Sequence, residues 1–437
     1  MMYPSAPLCR RGWPLTTIEV TFMSTPPQEA PLGDALSSSA DKPRIKLKFL
    51  DGMRGLAALH ILLYHQYAPG QIPAGLVHWL TWVRFGHYSV AVFIVLSGYS
   101  LMIPIVRAGD GRITGGLVGF FKRRARRILP PYYLALAATL AITFLSRHLM
   151  RAVHLSTGSK GYDYAFQTQD ITMHVLLIHN WFHRYNNSIN PTHWSVATEC
   201  QIYFLFALLL LPVWRRFGSL AAVGVGLALG IAPLLLLPRD HNFVWASPEY
   251  LGLFAFGMAG ATLSFSERQP YQRLRAGLPC GLIAALLFGV FIALAMFGAR
   301  NFVSSGRLEL PQPWVADVLV GLATAFLICY CAQASLLIAH KRQPLVLRLL
   351  ESGWATRLGA FSYSIYLISL PIEDKMRVAS YRLTHSVYGA SATTFLVGVP
   401  ITLVCCYLFH LAFERPFMGG IAKKGTTKDV SFLRASE

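Results

Sequence analysis

Runs of about twenty apolar residues recur along this chain, at roughly 50–68, 88–106, 128–146, 194–213, 218–237, 248–265, 277–297, 315–339, 358–376 and 389–411. A helix rising about 1.5 Å per residue needs a run of that length to cross the hydrocarbon of a bilayer. Hydrocarbon offers no water to backbone N–H and C=O groups, so helices with internally closed hydrogen bonds are what such runs permit. The expected fold is an all-α integral membrane protein, a polytopic bundle of about ten transmembrane helices. Composition agrees: 54% of the residues are hydrophobic and 14% charged, with mean hydropathy +0.45.

The formal net charge is +19. Its distribution argues against a nucleic-acid partner. With the N-terminus inside and ten alternating spans, the inner segments are 41–54, 107–127, 214–217, 265–276, 340–357 and 412–437. These hold roughly 26 of the Lys and Arg, against roughly 11 on the outer side. That is the positive-inside pattern. It puts both termini in the cytoplasm and assigns the basic excess to topology and attraction to anionic lipid.

Residues 1–44 carry Pro, Ser, Gln, Asp and Glu without apolar periodicity, the composition of a disordered cytoplasmic tail. Residues 45–417 make one transmembrane domain, and 418–437 a cytoplasmic C-terminal tail. No signal-peptide pattern precedes the first span, which itself directs insertion; Met23 is an alternative start to Met1. The longest outer segment, about 147–193, holds Tyr162, Tyr164, Trp181 and Tyr185 and suits either a lid or an aromatic belt. The seven cysteines lie mainly in apolar runs without disulfide spacing and read as small core residues. The histidines show no metal-ligand spacing, so no metal is expected.

Ionisable groups in hydrocarbon are expensive, and they line cavities or carry chemistry. The segment Leu50-Asp51-Gly52-Met53-Arg54-Gly55-Leu56-Ala57-Ala58-Leu59-His60-Ile61-Leu62-Leu63-Tyr64-His65 sets an arginine and a histidine eleven residues apart. Eleven helical steps return to within roughly 20° of the starting face, about 16 Å along the axis. Arg54 and His65 therefore share a face. They are either one wall of a site, or a snorkelling arginine and a histidine bonded to a neighbouring helix.

Three further segments carry polar groups. Phe121-Lys122-Arg123-Arg124-Ala125-Arg126-Arg127-Ile128-Leu129-Pro130-Pro131 sets five cations before a Pro-Pro expected to open the third span. Arg124 and Arg127, at i and i+3, suit a phosphate or pyrophosphate at the inner surface; an ordinary positive-inside anchor is the alternative. Trp194-Ser195-Val196-Ala197-Thr198-Glu199-Cys200-Gln201-Ile202-Tyr203 puts Ser195, Glu199 and Tyr203 on one stripe. Its carboxylate is expected to pair across helices, with His65 or with an arginine. Ser362-Tyr363-Ser364-Ile365-Tyr366-Leu367 offers Tyr363 and Tyr366 to the same cavity, and Glu414 is expected to cap the last span or pair with the basic loops.

In this order the segments resemble the acyltransferase-3 family of integral membrane O-acyltransferases, over about residues 47–417. The likeness lies in the opening Leu-Asp-Gly-Met-Arg-Gly-Leu stretch, the Arg54-to-His65 spacing and Phe93-Ile94-Val95-Leu96-Ser97-Gly98-Tyr99. Arg124-x-x-Arg127-Ile128-x-Pro130, Trp194-Ser195-x-x-x-Glu199-x-x-x-Tyr203 and Ser362-Tyr363-Ser364-Ile365-Tyr366-Leu367 complete it. The resemblance implies transfer of an acyl group, usually acetyl, from cytoplasmic acyl-CoA to a hydroxyl of a carbohydrate or other acceptor. It also implies a multi-pass protein of a bacterial-type plasma membrane. It assigns catalysis to His65 with Arg54 and Glu199, as general base or acyl carrier. It gives Arg124 and Arg127 to the acyl-CoA, and Trp194, Ser195, Tyr203, Tyr363 and Tyr366 to substrate. One departure is Ser369, where the family commonly has a histidine. The competing reading is a non-enzymatic transporter, or a binder of a lipid-linked saccharide, using the same polar stripe.

Overall fold

The computed structural model of the protein describes residues 47–66, 80–152, 167–238, 241–305, 313–337 and 343–418. Among these every regular element is helical, and no strand is present. A 3₁₀ turn, Thr81–Tyr88, separates α1 (Lys48–Gln66) from α2 (Ser89–Ala108). There follow α3 (Gly116–Ala152), α4 (Thr168–Val175), α5 (Trp194–Leu205), α6 (Leu211–Phe217), α7 (Ser219–Leu236) and α8 (Tyr250–Phe265). Then come α9 (Gln269–Gly277), α10 (Cys280–Ser305), α11 (Pro313–Leu337), α12 (Leu345–Leu350) and α13 (Gly353–Ala360). The chain closes with α14 (Ser362–Thr384), α15 (Val387–Thr393) and α16 (Val399–Phe409). π-helical turns join α5 to α6 and α15 to α16, and a third, His410–Glu414, follows α16.

Among the described residues six helical stretches are long and apolar enough to cross a membrane: Trp82–Ala108, Gly116–His148, Trp194–Phe217, Ser219–Leu236, Pro313–Leu336 and Val387–Met418. A seventh arises if α9 and α10, bent by 65°, form one broken span. Three of the ten expected spans, α1, α8 and α14, fall short of that standard. α8 has only 16 residues. α1 carries Lys48, Asp51, Arg54, His60 and His65, and α14 carries Glu373, Asp374, Lys375 and Arg377. Nearly all of α8 is buried, as are Glu373 and Asp374 of α14, whereas Lys48 of α1 and much of the C-terminal turn of α14 are exposed.

The third helix departs from expectation in a second way. Pro130 and Pro131 do not open it; it begins at Gly116 and runs through them for 37 residues. Each proline deprives the carbonyl four residues back, at Arg126 and Arg127, of its helical N–H. Both arginines are exposed, so water can satisfy those carbonyls and the helix persists. The cationic run is thereby a helical face rather than a loop.

Close helix contact positions the interior. A Cβ at Gly98 of α2 would fall on the Phe254 carbonyl oxygen of α8, and one at Gly257 of α8 on the Val95 carbonyl oxygen of α2. Small residues let the two backbones touch, the usual device for tight packing in membranes.

The segment 167–193 is seated on the end of the bundle. Tyr132 Oη donates to the His174 carbonyl at 3.0 Å, Asn180 Nδ2 to Thr198 Oγ1 at 3.0 Å and Asn190 Nδ2 to the Leu367 carbonyl at 3.0 Å. Within it, the His174 and His179 rings stack with centroids 3.9 Å apart, and His193 lies 6.4 Å from His174. All three are fully buried. Burial pushes the His174 imidazole down to about 4 and that of His193 down to about 3. Tyr162, Tyr164 and the tails expected at 1–44 and, past Met418, at 418–437 lie outside the described residues.

Candidate functional site

One cavity opens between five helices, with about 860 Å³ of empty space counting its mouth. Its lining comes from α1 (Arg54), α2 (Val90, Phe93, Ile94, Ser97, Ser100, Leu101) and α3 (Arg124, Arg127, Ile128). α5 adds Ser195, Val196, Glu199 and Tyr203, and α14 adds Ser362, Tyr363 and Tyr366. From Val90 to Ser100 the lining runs about 15 Å along α2.

The end at Ser100 is basic. Arg54 Nη2 donates to Ser100 Oγ at 2.7 Å, and Nη1 pairs with Asp51 at 3.1 Å. These contacts hold the guanidinium on the cavity wall. Arg127 stands close enough to Arg54 to repel it, while Arg124 lies beside Tyr203 and Glu199. The Arg124 Nε is buried without a hydrogen-bond partner. Three guanidinium groups thus face one lining carboxylate, an arrangement that suits a polyanionic ligand with oxygens for the forks.

In the middle, Glu199 Oε1 accepts from Ser97 Oγ at 2.6 Å and from Tyr203 Oη at 2.5 Å. The opposite end is neutral. There Ser195 Oγ and Tyr366 Oη lie 2.5 Å apart, and Phe93 packs against Tyr366 with ring centroids 6.2 Å apart. Tyr363 Oη donates to the Ile128 carbonyl at 3.1 Å. Its neighbour on α14, Ser369, is buried with an unpartnered hydroxyl and lies outside the lining.

Eight of the ten sequence-derived site residues therefore share this cavity: Arg54, Arg124, Arg127, Ser195, Glu199, Tyr203, Tyr363 and Tyr366. Two stand outside its lining. Trp194 stacks on His87 with centroids 5.9 Å apart and lies 5.7 Å from the Tyr250 ring. His65 is half-buried, packs its ring against Tyr64 and has His87 and the Arg377 guanidinium nearby. A layer of His65, His87 and Trp194 thus adjoins the neutral end, where Trp194 precedes Ser195. The expected His65–Glu199 bond is not formed; Glu199 is held by Ser97 and Tyr203 instead. His60, one turn earlier, is bound on both sides, to Ser89 Oγ at 2.8 Å and the Trp82 carbonyl at 3.1 Å. Glu414, expected to cap the last span or pair with the basic loops, pairs with His410 at 2.8 Å and accepts from Ser364 at 2.5 Å.

Ser97 and Ser100 are the functional candidates that reading the sequence missed. Both lie in an apolar span, three residues apart and so on one helix face. That spacing was the available signal; only the fold shows what they bond. No group of three or more His, Cys, Asp or Glu able to hold a metal occurs among the described residues.

An O-acetyltransferase of Staphylococcus aureus (strain NCTC 8325 / PS 47), OatA, is 22% identical over 394 residues, covering 86% of this chain and 57% of its own length. A second protein of S. aureus (strain COL), provisionally named as an O-acetyltransferase, is 23% identical over 401 residues, covering 84% and 56%. The chain thus spans a little over half the length of these curated relatives. No solved structure matches it. The family model for acyltransferase-3, described as an acyltransferase domain, matches residues 47–411. The chain belongs to the acyltransferase-3 family.

Proposed function

We propose that the protein is a membrane O-acyltransferase. It moves an acyl group, acetyl in the first instance, from cytoplasmic acyl-CoA to a hydroxyl of a carbohydrate-like acceptor such as a cell-surface polysaccharide or glycolipid. The observation that carries this reading is a single cavity with three arginines at one end and hydroxyl and aromatic groups at the other. Family membership and the O-acetyltransferase names of the relatives support it.

In this reading Arg54, Arg124 and Arg127 hold the phosphates of acyl-CoA by charge-assisted hydrogen bonds. The pantetheine arm lies along α2 past Glu199 and delivers the thioester to the Ser195–Tyr366 end. The acceptor docks there against Trp194, whose face suits a sugar ring. The acceptor oxygen attacks the thioester carbonyl; a C–O bond forms and the C–S bond breaks. His65 takes the hydroxyl proton and returns it to the departing thiolate. A base needs one ring nitrogen free for its substrate, and among the described residues no hydrogen bond occupies either nitrogen of His65. Glu199 orients Tyr203 and Ser97 along the path.

The proposed topology is ten spans with both termini cytoplasmic, in a bacterial-type plasma membrane. In this reading the six apolar helices and the bent α9–α10 pair meet the lipid, and α1, α8 and α14 cross as spans that carry polar groups.

The test is incubation of the purified protein with labelled acetyl-CoA and a panel of saccharide acceptors. Label should appear on an acceptor with wild type and not with His65→Ala. If wild type neither transfers label nor consumes acetyl-CoA faster than that variant, the reading fails and a transporter takes its place.

A further inference from the structure

A second cleft opens where the C-terminal ends of α2, α6 and α8 meet. It holds about 600 Å³ of empty space counting its mouth, and Asp110, Gly111, Arg112, Trp214, Arg215 and Arg268 line it. It lies at the basic end of the bundle, about 14 Å further along α2 than Ser100.

The walls are built. Trp214 Nε1 donates to Thr262 Oγ1 at 3.1 Å, which fixes the indole against α8. Gly111 has φ +66°, and a Cβ there would meet the Trp214 ring at 3.3 Å, so the loop after α2 rests on the tryptophan. Arg215 Nε donates to the Gly111 carbonyl at 2.5 Å. That bond spends one of five donors of a side chain that lines the cleft. The one lining carboxylate, Asp110, accepts from the Arg112 backbone N–H at 2.8 Å.

Arg112 and Arg268 are exposed and belong to the basic excess of the inner loops; what sets them apart is that they converge with Arg215 on one cleft. Cations often gather at helix C-termini because free carbonyls attract them. That duty at the end of α8 belongs to Arg275, which donates to the Leu263 carbonyl at 3.0 Å and the Ser266 carbonyl at 2.5 Å. Among the described residues the Arg112 and Arg268 guanidinium groups have no hydrogen-bond or ion-pair partner. Water screens these exposed charges, yet three cations beside one acid leave the cleft net positive. A bound anion would meet that charge and fill the unspent forks.

We infer that the cleft of Arg112, Arg215 and Arg268 is a phosphate-ester binding site, separate from the transfer cavity. Its ligand is either the headgroup of an anionic phospholipid or a soluble phosphate monoester such as the phosphoadenosine end of a nucleotide. The second source rests on the acyl-CoA reading; the first does not.

Two probes separate the sources: phosphatidylglycerol titrated into the full chain and followed by native mass spectrometry against phosphatidylcholine, and adenosine 3′,5′-bisphosphate followed by equilibrium binding. Arg112→Gln and Arg268→Gln break no contact within the protein, so both should fold. Arg273→Gln, on α9 and outside the cleft, removes the same charge from a neighbouring helix. One probe should bind wild type and weaken about tenfold in each cleft variant, as loss of one charge-assisted contact predicts, with no change for Arg273→Gln. The probe that responds identifies the source. Binding of neither probe to wild type, or equal weakening by Arg273→Gln, would overturn the site.

Discussion

Ser97 of α2 and Glu199 of α5, 102 residues apart in sequence, share a hydrogen bond of 2.6 Å in the middle of the cavity. Tyr203 meets the same carboxylate oxygen from one turn further along α5. A carboxylate in such a place persists only if its desolvation is offset by donors. Glu199→Gln keeps the shape but removes the charge that both hydroxyls address. Acyl transfer should fall by about 10²-fold with normal expression, since two charge-assisted bonds are weakened. Labelled acetyl-CoA turnover measures it; unchanged turnover would remove Glu199 from the site.

His65 stands beyond the lining, in the layer with His87 and Trp194. As the base it should contribute about 10²–10⁴-fold to the rate. His65→Ala should lose that much while the protein purifies at wild-type yield. Retained transfer would move the base to another residue of that layer, and His87→Ala would then be the informative comparison.

Arg127 is exposed at the basic end of the cavity. Arg127→Ala should raise the apparent KM for acyl-CoA about tenfold and leave kcat within a factor of two or so. Initial rates against acyl-CoA concentration check this. An unchanged KM would return Arg127 to the role of a membrane anchor.

The contact of α2 with α8 leaves no room at Gly98, where an added methyl meets the Phe254 carbonyl. Gly98→Ala should destabilise the protein by about 1–3 kcal/mol, the usual cost of overpacking. A lowered melting temperature in detergent is the expected result. An unchanged one would mean that the helices separate without penalty.

The buried histidines of the segment 167–193 predict a pH limit. An ordinary histidine titrates near 6.5, whereas His174 does so at about 4 and His193 at about 3. Between those values the unfolded chain binds protons that the folded chain refuses. Their contribution is therefore complete above pH ~6.5, declines as pH falls, and is lost below the folded values. The cost should reach about 3 kcal/mol for His174 alone. Facing it are His179, His193, Tyr132 and the Asp170 carbonyl. Melting temperature should drop from pH 6.5 to 4, less steeply in His174→Phe, which keeps a ring in the stack. Equal slopes would exclude this cluster as the cause.

Much of the architecture is local, and so it is legible from the chain. An apolar run of membrane length must close its own hydrogen bonds, whatever surrounds it, so the helices of 194–217 and 219–236 follow from composition alone. Stripe residues four apart, Ser195, Glu199 and Tyr203, must share a face, and all three line the cavity. The same rule put Arg124 and Arg127 together.

What a side chain meets across helices is a different matter. Periodicity allowed Glu199 to pair with His65 or an arginine and set Tyr203 one turn away; tertiary packing brought Ser97 to the same oxygen and Arg124 alongside, and left His65 without that bond. Arg54 and His65 share a face of α1, yet only Arg54 lines the cavity, because it ends before the helix does. Glu414 found His410 one turn away and Ser364 across helices. The sequence determined the helices and the face each polar group takes, since those depend on neighbours within a few turns. The tertiary structure decided the partners across helices, because they depend on where a second helix, 50 residues away for Ser364 and Glu414 and 102 for Ser97 and Glu199, comes to rest.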